Sequence, residues 1–255
     1  GEKNYSLKPE KSIQRIAFLG DSTTFGDEVN DNETVPFYLE GQMKKSEVLN
    51  FGVHSYGLGQ MYLRLKDEGF SYSPNHVVVM LLIPWDIYRD IKSYSAHNKP
   101  VFSIKNEELQ IKNIPVPLKY QRSWLHGNSY LYAWLYGLLS NQRQTGKVGE
   151  TVQLSKLIIK EIQKECKARK IPFTLVTIIA AASVNSDEKQ REVIRFINNA
   201  YREMNIDLLD LSGDLAAFFS KRGRAVVAEK GHWSAEGNSF IAGKIREHLS
   251  PQSSP

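Results

Sequence analysis

The sequence has a single cysteine, Cys166, among its 255 residues. That excludes an intrachain disulfide and any zinc site resting on thiolates. Cys166 lies inside an amphipathic helical pattern, where a packed core thiol is expected rather than a nucleophile. A membrane-length apolar run is also missing. The most apolar and aromatic stretch, Ser129–Leu139, is too short to cross a bilayer. It reads as a helix packed on the body, with a lid or lipid-facing surface as the alternative. No signal peptide is recognisable. The chain begins at Gly1 rather than methionine, as trimmed chains do, and a membrane anchor or an extracytoplasmic setting is left open. No dense Lys/Arg stripe is interleaved with aromatics. The tightest basic cluster is Lys221, Arg222 and Arg224, and the formal net charge is +5. A solvated surface accounts for this, so nucleic acid is not an expected partner. The glycine-rich turns match neither a phosphate-binding loop nor a dinucleotide fingerprint. His76, His97 and His126 have no companions at metal-ligand spacing and read as surface or packing residues.

What is present is an alternation of short apolar runs and amphipathic stretches. Strands are expected at Gln14–Leu19, Val48–Phe51, Val77–Ile83, Ile171–Ile179 and Ile206–Leu211. Val77–Ile83 is the most apolar of them and is expected at the centre of a parallel sheet, buried on both faces. Helical spacing occupies 35–45, a segment holding Met61, Leu63 and Leu65, and 149–168. It returns from a Ser186 cap to about Met204, briefly over Leu215–Phe219, and from a Ser234 cap to about Leu249. The order implies an α/β fold: a doubly wound, flavodoxin-like parallel five-stranded sheet flanked by helices. Residues 1–12 read as a loose lead-in and 13–250 as one α/β domain, with an insertion at about 91–148. Within it Val101–Ile104 and Leu109–Ile114 form a small hairpin pattern.

The chain is arranged around Ile16-Ala17-Phe18-Leu19-Gly20-Asp21-Ser22-Thr23-Thr24-Phe25-Gly26. Ligands of open α/β sheets sit beyond the carboxyl ends of strands. Ser22 therefore stands at the lip of such a site. The plainer account is a turn capping the next helix, since Asp and Ser are usual caps. A second stretch, Gly231-His232-Trp233-Ser234-Ala235-Glu236-Gly237-Asn238, favours the first account.

Together these stretches make the chain resemble the SGNH, or GDSL, hydrolase family. Gly20-Asp21-Ser22 matches the block that carries its nucleophile, and Gly231-His232-Trp233-Ser234 with Gly237 the block that carries its base. Val48–Gly57 and Val77–Ile87 look like degraded second and third blocks. The resemblance implies a serine-dependent acyl ester hydrolase or O-acyltransferase, with Ser22 as nucleophile and His232 as base. It implies no metal and no organic cofactor. The form of the blocks is similar to a bacterial branch associated with cell-surface polysaccharides, so a small ester or acylated carbohydrate is the expected partner.

Serine needs a base to take its proton, and imidazole needs an acid to orient it. The resemblance implies that this acid is an aspartate two or three residues before the histidine. Here Glu229 and Lys230 occupy those positions. Glu229 is favoured, and Asp207, Asp210 and Asp214 are alternatives; a solvated surface acid is the plain account of Glu229. The resemblance implies three oxyanion donors: the Ser22 N–H, a second-block N–H now at Ser55, and a third-block amide now replaced by Trp85. Asn50 is the shifted-donor alternative. Asp21 is expected to fix the turn, His54 to line the pocket or have no role, and Trp233 to pack under His232. A catalytically reduced domain that binds a glycan or partner is the competing reading.

Overall fold

A computed structural model describes residues 5–92, 94–95, 97–116, 129, 131, 148–184 and 186–250. The Ser129–Leu139 stretch lies, but for two residues, outside those described. The strands of the main sheet are β1 (Gln14–Gly20), β2 (Ser46–Gly52) and β3 (His76–Ile83). An antiparallel hairpin of β4 (Val101–Lys105) and β5 (Glu108–Lys112) stands apart from it. The sheet is completed by β6 (Phe173–Ile179) and β7 (Asp207–Asp210).

Its order is β2-β1-β3-β6-β7 and every pairing is parallel. Parallel strands covered on both faces must be apolar throughout. Ile16–Leu19, Val77–Ile83 and Phe173–Ile179 are buried without a break. The expected sheet is thus present and β3 lies at its centre.

The helices are α1 (Ser22–Phe25), α2 (Val35–Gln42), α3 (Leu58–Asp67) and α4 (Trp85–Arg89). They are followed by α5 (Val148–Ala168), α6 (Glu188–Arg202), α7 (Ser212–Arg222) and α8 (Ala235–Leu249). From β1 the chain crosses outward to β2, then back over β1 to β3. Right-handed crossovers in opposite directions place α2 and α3 on opposite faces. α8 packs on α2, and α5 packs on α3 and α6.

Three cap or boundary expectations are corrected. α6 is capped by Asp187, whose carboxylate accepts the Gln190 N–H at 2.8 Å, rather than by Ser186. Ser234 precedes α8 but its hydroxyl donates to the Ala225 carbonyl at 2.9 Å instead of capping. α7 spans Ser212–Arg222, well beyond Leu215–Phe219.

Strand β1 is where the strand order reverses, with β2 on one side and β3 on the other. Ligands of open α/β sheets bind at that switch point, beyond the strand ends. The residues after Gly20 occupy it.

Candidate active site

Gly20 ends β1 and the chain turns at once into α1. A Cβ on Gly20 would fall 1.9 Å from Thr24 Oγ1 and 3.1 Å from the Met80 carbonyl oxygen, so a larger residue would have to displace the Thr24 side chain. Asp21 caps α1: Oδ1 accepts the Thr23 N–H at 2.9 Å. This is the turn-fixing part expected of it. Gly26 leaves the short helix at φ +103° and donates back to the Ser22 carbonyl at 3.0 Å. Ser22 is therefore rigid and almost wholly buried. As the first residue of a helix its N–H has no intrahelical acceptor.

His232 comes from the other end of the chain, on a tight loop between α7 and α8. Gly231 holds φ +97°, which favours glycine. Ala228 N–H donates to the His232 carbonyl at 2.9 Å, and Ser234 N–H to that of Val226 at 3.0 Å. Trp233 is buried, and its indole N–H donates to the Ile179 carbonyl at 2.9 Å. The loop is thereby pinned to the carboxyl end of β6. The result places His232 Nε2 3.1 Å from Ser22 Oγ. A nucleophile and base must approach to about 2.6–3.2 Å.

The acid at the far ring nitrogen is not Glu229. Glu28 Oε2 lies 2.6 Å from His232 Nδ1. The same carboxylate accepts the Lys230 N–H at 2.5 Å and the His232 N–H at 3.2 Å. Desolvation raises its pKa, but the two backbone N–H groups and the imidazole outweigh that and lower it overall. Two of the alternative acids are likewise engaged elsewhere: Asp207 with His248 and Asp210 with Arg202. The third, Asp214, pairs with Lys244. Sequence reasoning missed Glu28 because no spacing rule links an acid to a histidine 204 residues away. The one signal was the acidic Asp27-Glu28 pair directly after the serine turn.

The second-block loop lies against α1, and Val53 N–H donates to the Gly20 carbonyl at 3.2 Å. Ser55 is buried at φ +62°, a conformation glycine normally supplies. His54 is more than half exposed, with Nδ1 2.5 Å from Asp27 Oδ2. Asn50 is corrected as a shifted oxyanion donor. Its amide nitrogen donates to the Thr24 and Phe25 carbonyls at 2.9 and 3.5 Å, and its oxygen accepts the Gly52 N–H. It braces β2 to α1. Trp85 opens α4 and is 45 % exposed.

Beneath Ser22 lies a buried charge cluster that the sequence did not reveal. Asp86 is fully buried, with Oδ2 accepting the Leu82 N–H at 2.8 Å and Oδ1 2.7 Å from Arg89 Nη1. Burial first, then the Asp21 charge, pushes the Asp86 pKa well up against the pull of Arg89. Farther on, Asp90 Oδ1 accepts the Gly59 N–H at 2.8 Å. A cleft of about 770 Å³ runs along the outer edge of β2, lined by Phe25, Phe37, Asn50, Val53 and Tyr72 among others. Among the described residues, no three His, Cys, Asp or Glu side chains cluster as a metal site would need.

No protein-family profile matches the sequence, and no curated protein does. Solved structures do. An acetyl xylan esterase, AlAXEase, is 16% identical, covering 92% of this chain and 100% of its own, with a TM-score of 0.57. An acetylxylan esterase from Geobacillus stearothermophilus is 14% identical, covering 94% of this chain and 95% of its own, with a TM-score of 0.57. It was solved as catalytic mutants, one with a histidine and one with a serine changed to alanine. A lipolytic protein of the G-D-S-L family from Veillonella parvula is 16% identical, covering 93% and 98%, with a TM-score of 0.53. At such identity the likeness is one of fold: the chain has the α/β architecture of the SGNH, or GDSL, lipolytic proteins.

Proposed function

We propose that this chain is an SGNH-type serine ester hydrolase with Ser22, His232 and Glu28 as its triad. The observation that carries the reading is one hydrogen-bonded line. Ser22 Oγ is 3.1 Å from His232 Nε2, and His232 Nδ1 is 2.6 Å from Glu28 Oε2. In it, His232 takes the hydroxyl proton as Ser22 Oγ attacks the acyl carbon. Glu28 holds the ring orientation and offsets its positive charge. The N–H groups of Ser22 and Ser55 receive the negative oxygen of the tetrahedral intermediate. The alkoxide leaves with the proton from His232, and an acyl-serine remains. Water, or a sugar hydroxyl in a transferase, gives its proton to His232 as it attacks the acyl carbon, and His232 returns that proton to Ser22 Oγ as the acyl–serine bond breaks.

The finer reading is an acetyl ester on a carbohydrate. It draws on the substrates named for the esterases of like fold. The competing reading, a reduced domain that only binds a glycan, draws on Trp85 standing where the third oxyanion donor is expected. Loss of one such donor costs about a hundred- to a thousandfold in rate. Hydrolysis of p-nitrophenyl acetate by wild type and Ser22→Ala separates the two. The enzyme reading expects turnover that disappears in the variant. Equal background rates in both would leave the binding module.

A further inference from the structure

Arg89 ends α4, and one of its nitrogens gathers the whole site. Nη1 lies 3.0 Å from Asp21 Oδ2, 2.7 Å from Asp86 Oδ1 and 3.0 Å from the Tyr56 carbonyl. Each acceptor belongs to a different segment. Asp21 precedes the candidate nucleophile, Tyr56 follows Ser55, and Asp86 follows Trp85. Asp21 and Asp86 are buried to 1% and 0% exposure, and the Arg89 guanidinium is the cation placed between their carboxyl groups. Gly57 makes room for the approach: a Cβ there would fall 3.1 Å from Arg89 Cβ and 2.5 Å from Asp90 Oδ1.

The consequence concerns a single proton. Ser22 has one hydroxyl hydrogen and two acceptors in reach, His232 Nε2 at 3.1 Å and Asp21 Oδ2 at 3.3 Å. A carboxylate oxygen is a stronger acceptor than a neutral imidazole nitrogen, and the Asp21 carboxyl group also shares a side-chain hydrogen bond with Asp86. A serine turned toward it is turned away from its base. Arg89 donates into that same Oδ2, which weakens its competing claim.

We propose that Arg89 is a positioning residue: it occupies Asp21 Oδ2 so that the Ser22 hydroxyl turns to His232. By holding the Tyr56 carbonyl with the same nitrogen it also fixes the Ser55 N–H relative to Ser22. The role rests on the ester-hydrolase reading.

The test is p-nitrophenyl acetate kinetics on wild type, Ser22→Ala, Arg89→Met, Arg89→Lys, and each Arg89 variant combined with Asp21→Asn. Rates are normalised to the folded fraction read from near-ultraviolet circular dichroism, so unfolded protein does not count. Misplacement on this scale costs about a hundredfold, so kcat of Arg89→Met should fall ~10- to 100-fold with KM nearly unchanged. Adding Asp21→Asn removes the charged competitor and should restore about tenfold of that loss. Should Arg89→Met fail to fold, Arg89→Lys carries the same comparison with a smaller loss, since lysine keeps the charge without the fork. Wild-type kcat in the Arg89 variants, a change in KM alone, or a loss that Asp21→Asn does not relieve would each overturn the positioning role while leaving the ester reading intact. A wild type without Ser22-dependent turnover overturns the ester reading, and this role with it.

Discussion

Glu28 carries a cost that its contacts explain. Its φ of +70° is left-handed, which for a residue with a β-carbon costs on the order of 1–3 kcal/mol. The conformation brings one carboxylate onto two backbone N–H groups and the His232 ring. That Ser22 and His232 meet was legible in the sequence from the two short motifs that carry them. Glu28 was not, because its partner is set by the tertiary path of two loops. Arg89 escaped for the same reason: only folding shows which of 33 Lys and Arg side chains enters the interior. Glu28→Gln keeps the shape but no longer stabilises the imidazolium, and kcat for p-nitrophenyl acetate should drop about 10³- to 10⁴-fold. Glu229→Gln should stay near wild type. The reverse ranking would return the acid to Glu229.

Among the elements, β1, β2 and α1 form the rigid corner on which the serine depends. β2 is an edge strand, and its outward N–H groups at Val48 and Gly52 are taken by Glu40 and Asn50 side chains. Such capping blocks pairing with another strand. Gly52 is where β2 touches α1: a Cβ there would lie 2.3 Å from Phe25 N and 2.7 Å from Thr24 C. These are backbone atoms, which cannot swing aside. Gly52→Ala should lower stability by about 1–3 kcal/mol, read as a shift in the urea midpoint, and should reduce kcat as α1 moves. An unchanged midpoint would show that the corner yields freely. Strands buried on both faces were easy to read because their apolar runs are continuous. The ends of α7 were not. Ser212-Gly213-Asp214 has turn composition, and only Leu215 of that helix is buried, so the periodic signal covered its middle alone.

At the scale of the whole molecule, the sheet order converts sequence distance into contact. Ser22 follows the strand at the reversal point, and the chain's last loop is tied to β6 through Trp233, so residues 210 apart meet. The fold type was legible from the alternation of elements. The interior charge was not, because polar residues that pair inside look like polar residues outside. Lys99 and Asp90 are the clearest instance. Both are buried, and Lys99 Nζ and Asp90 Oδ2 lack hydrogen-bond partners among the described residues. Burial pushes Asp90 up to about 7 and Lys99 down to about 8. An unfolded aspartate titrates at about 3.9, so between there and about pH 7 the folded state holds the extra proton and stability falls as pH rises. An unfolded lysine titrates at about 10.4, so above about pH 8 the unfolded state holds the extra proton and stability recovers. Urea unfolding across pH should show a minimum near pH 7–8 that Asp90→Asn/Lys99→Met flattens; an equally deep minimum in that variant would refute the assignment. The most direct test of the central claim is covalent. Wild type is treated with a serine-directed fluorophosphonate and the modified peptide mapped by mass spectrometry. One adduct on Ser22, lost in His232→Ala and strongly slowed in Glu28→Gln, is the predicted result. No adduct on Ser22, or labelling that persists undiminished without His232, would contradict it.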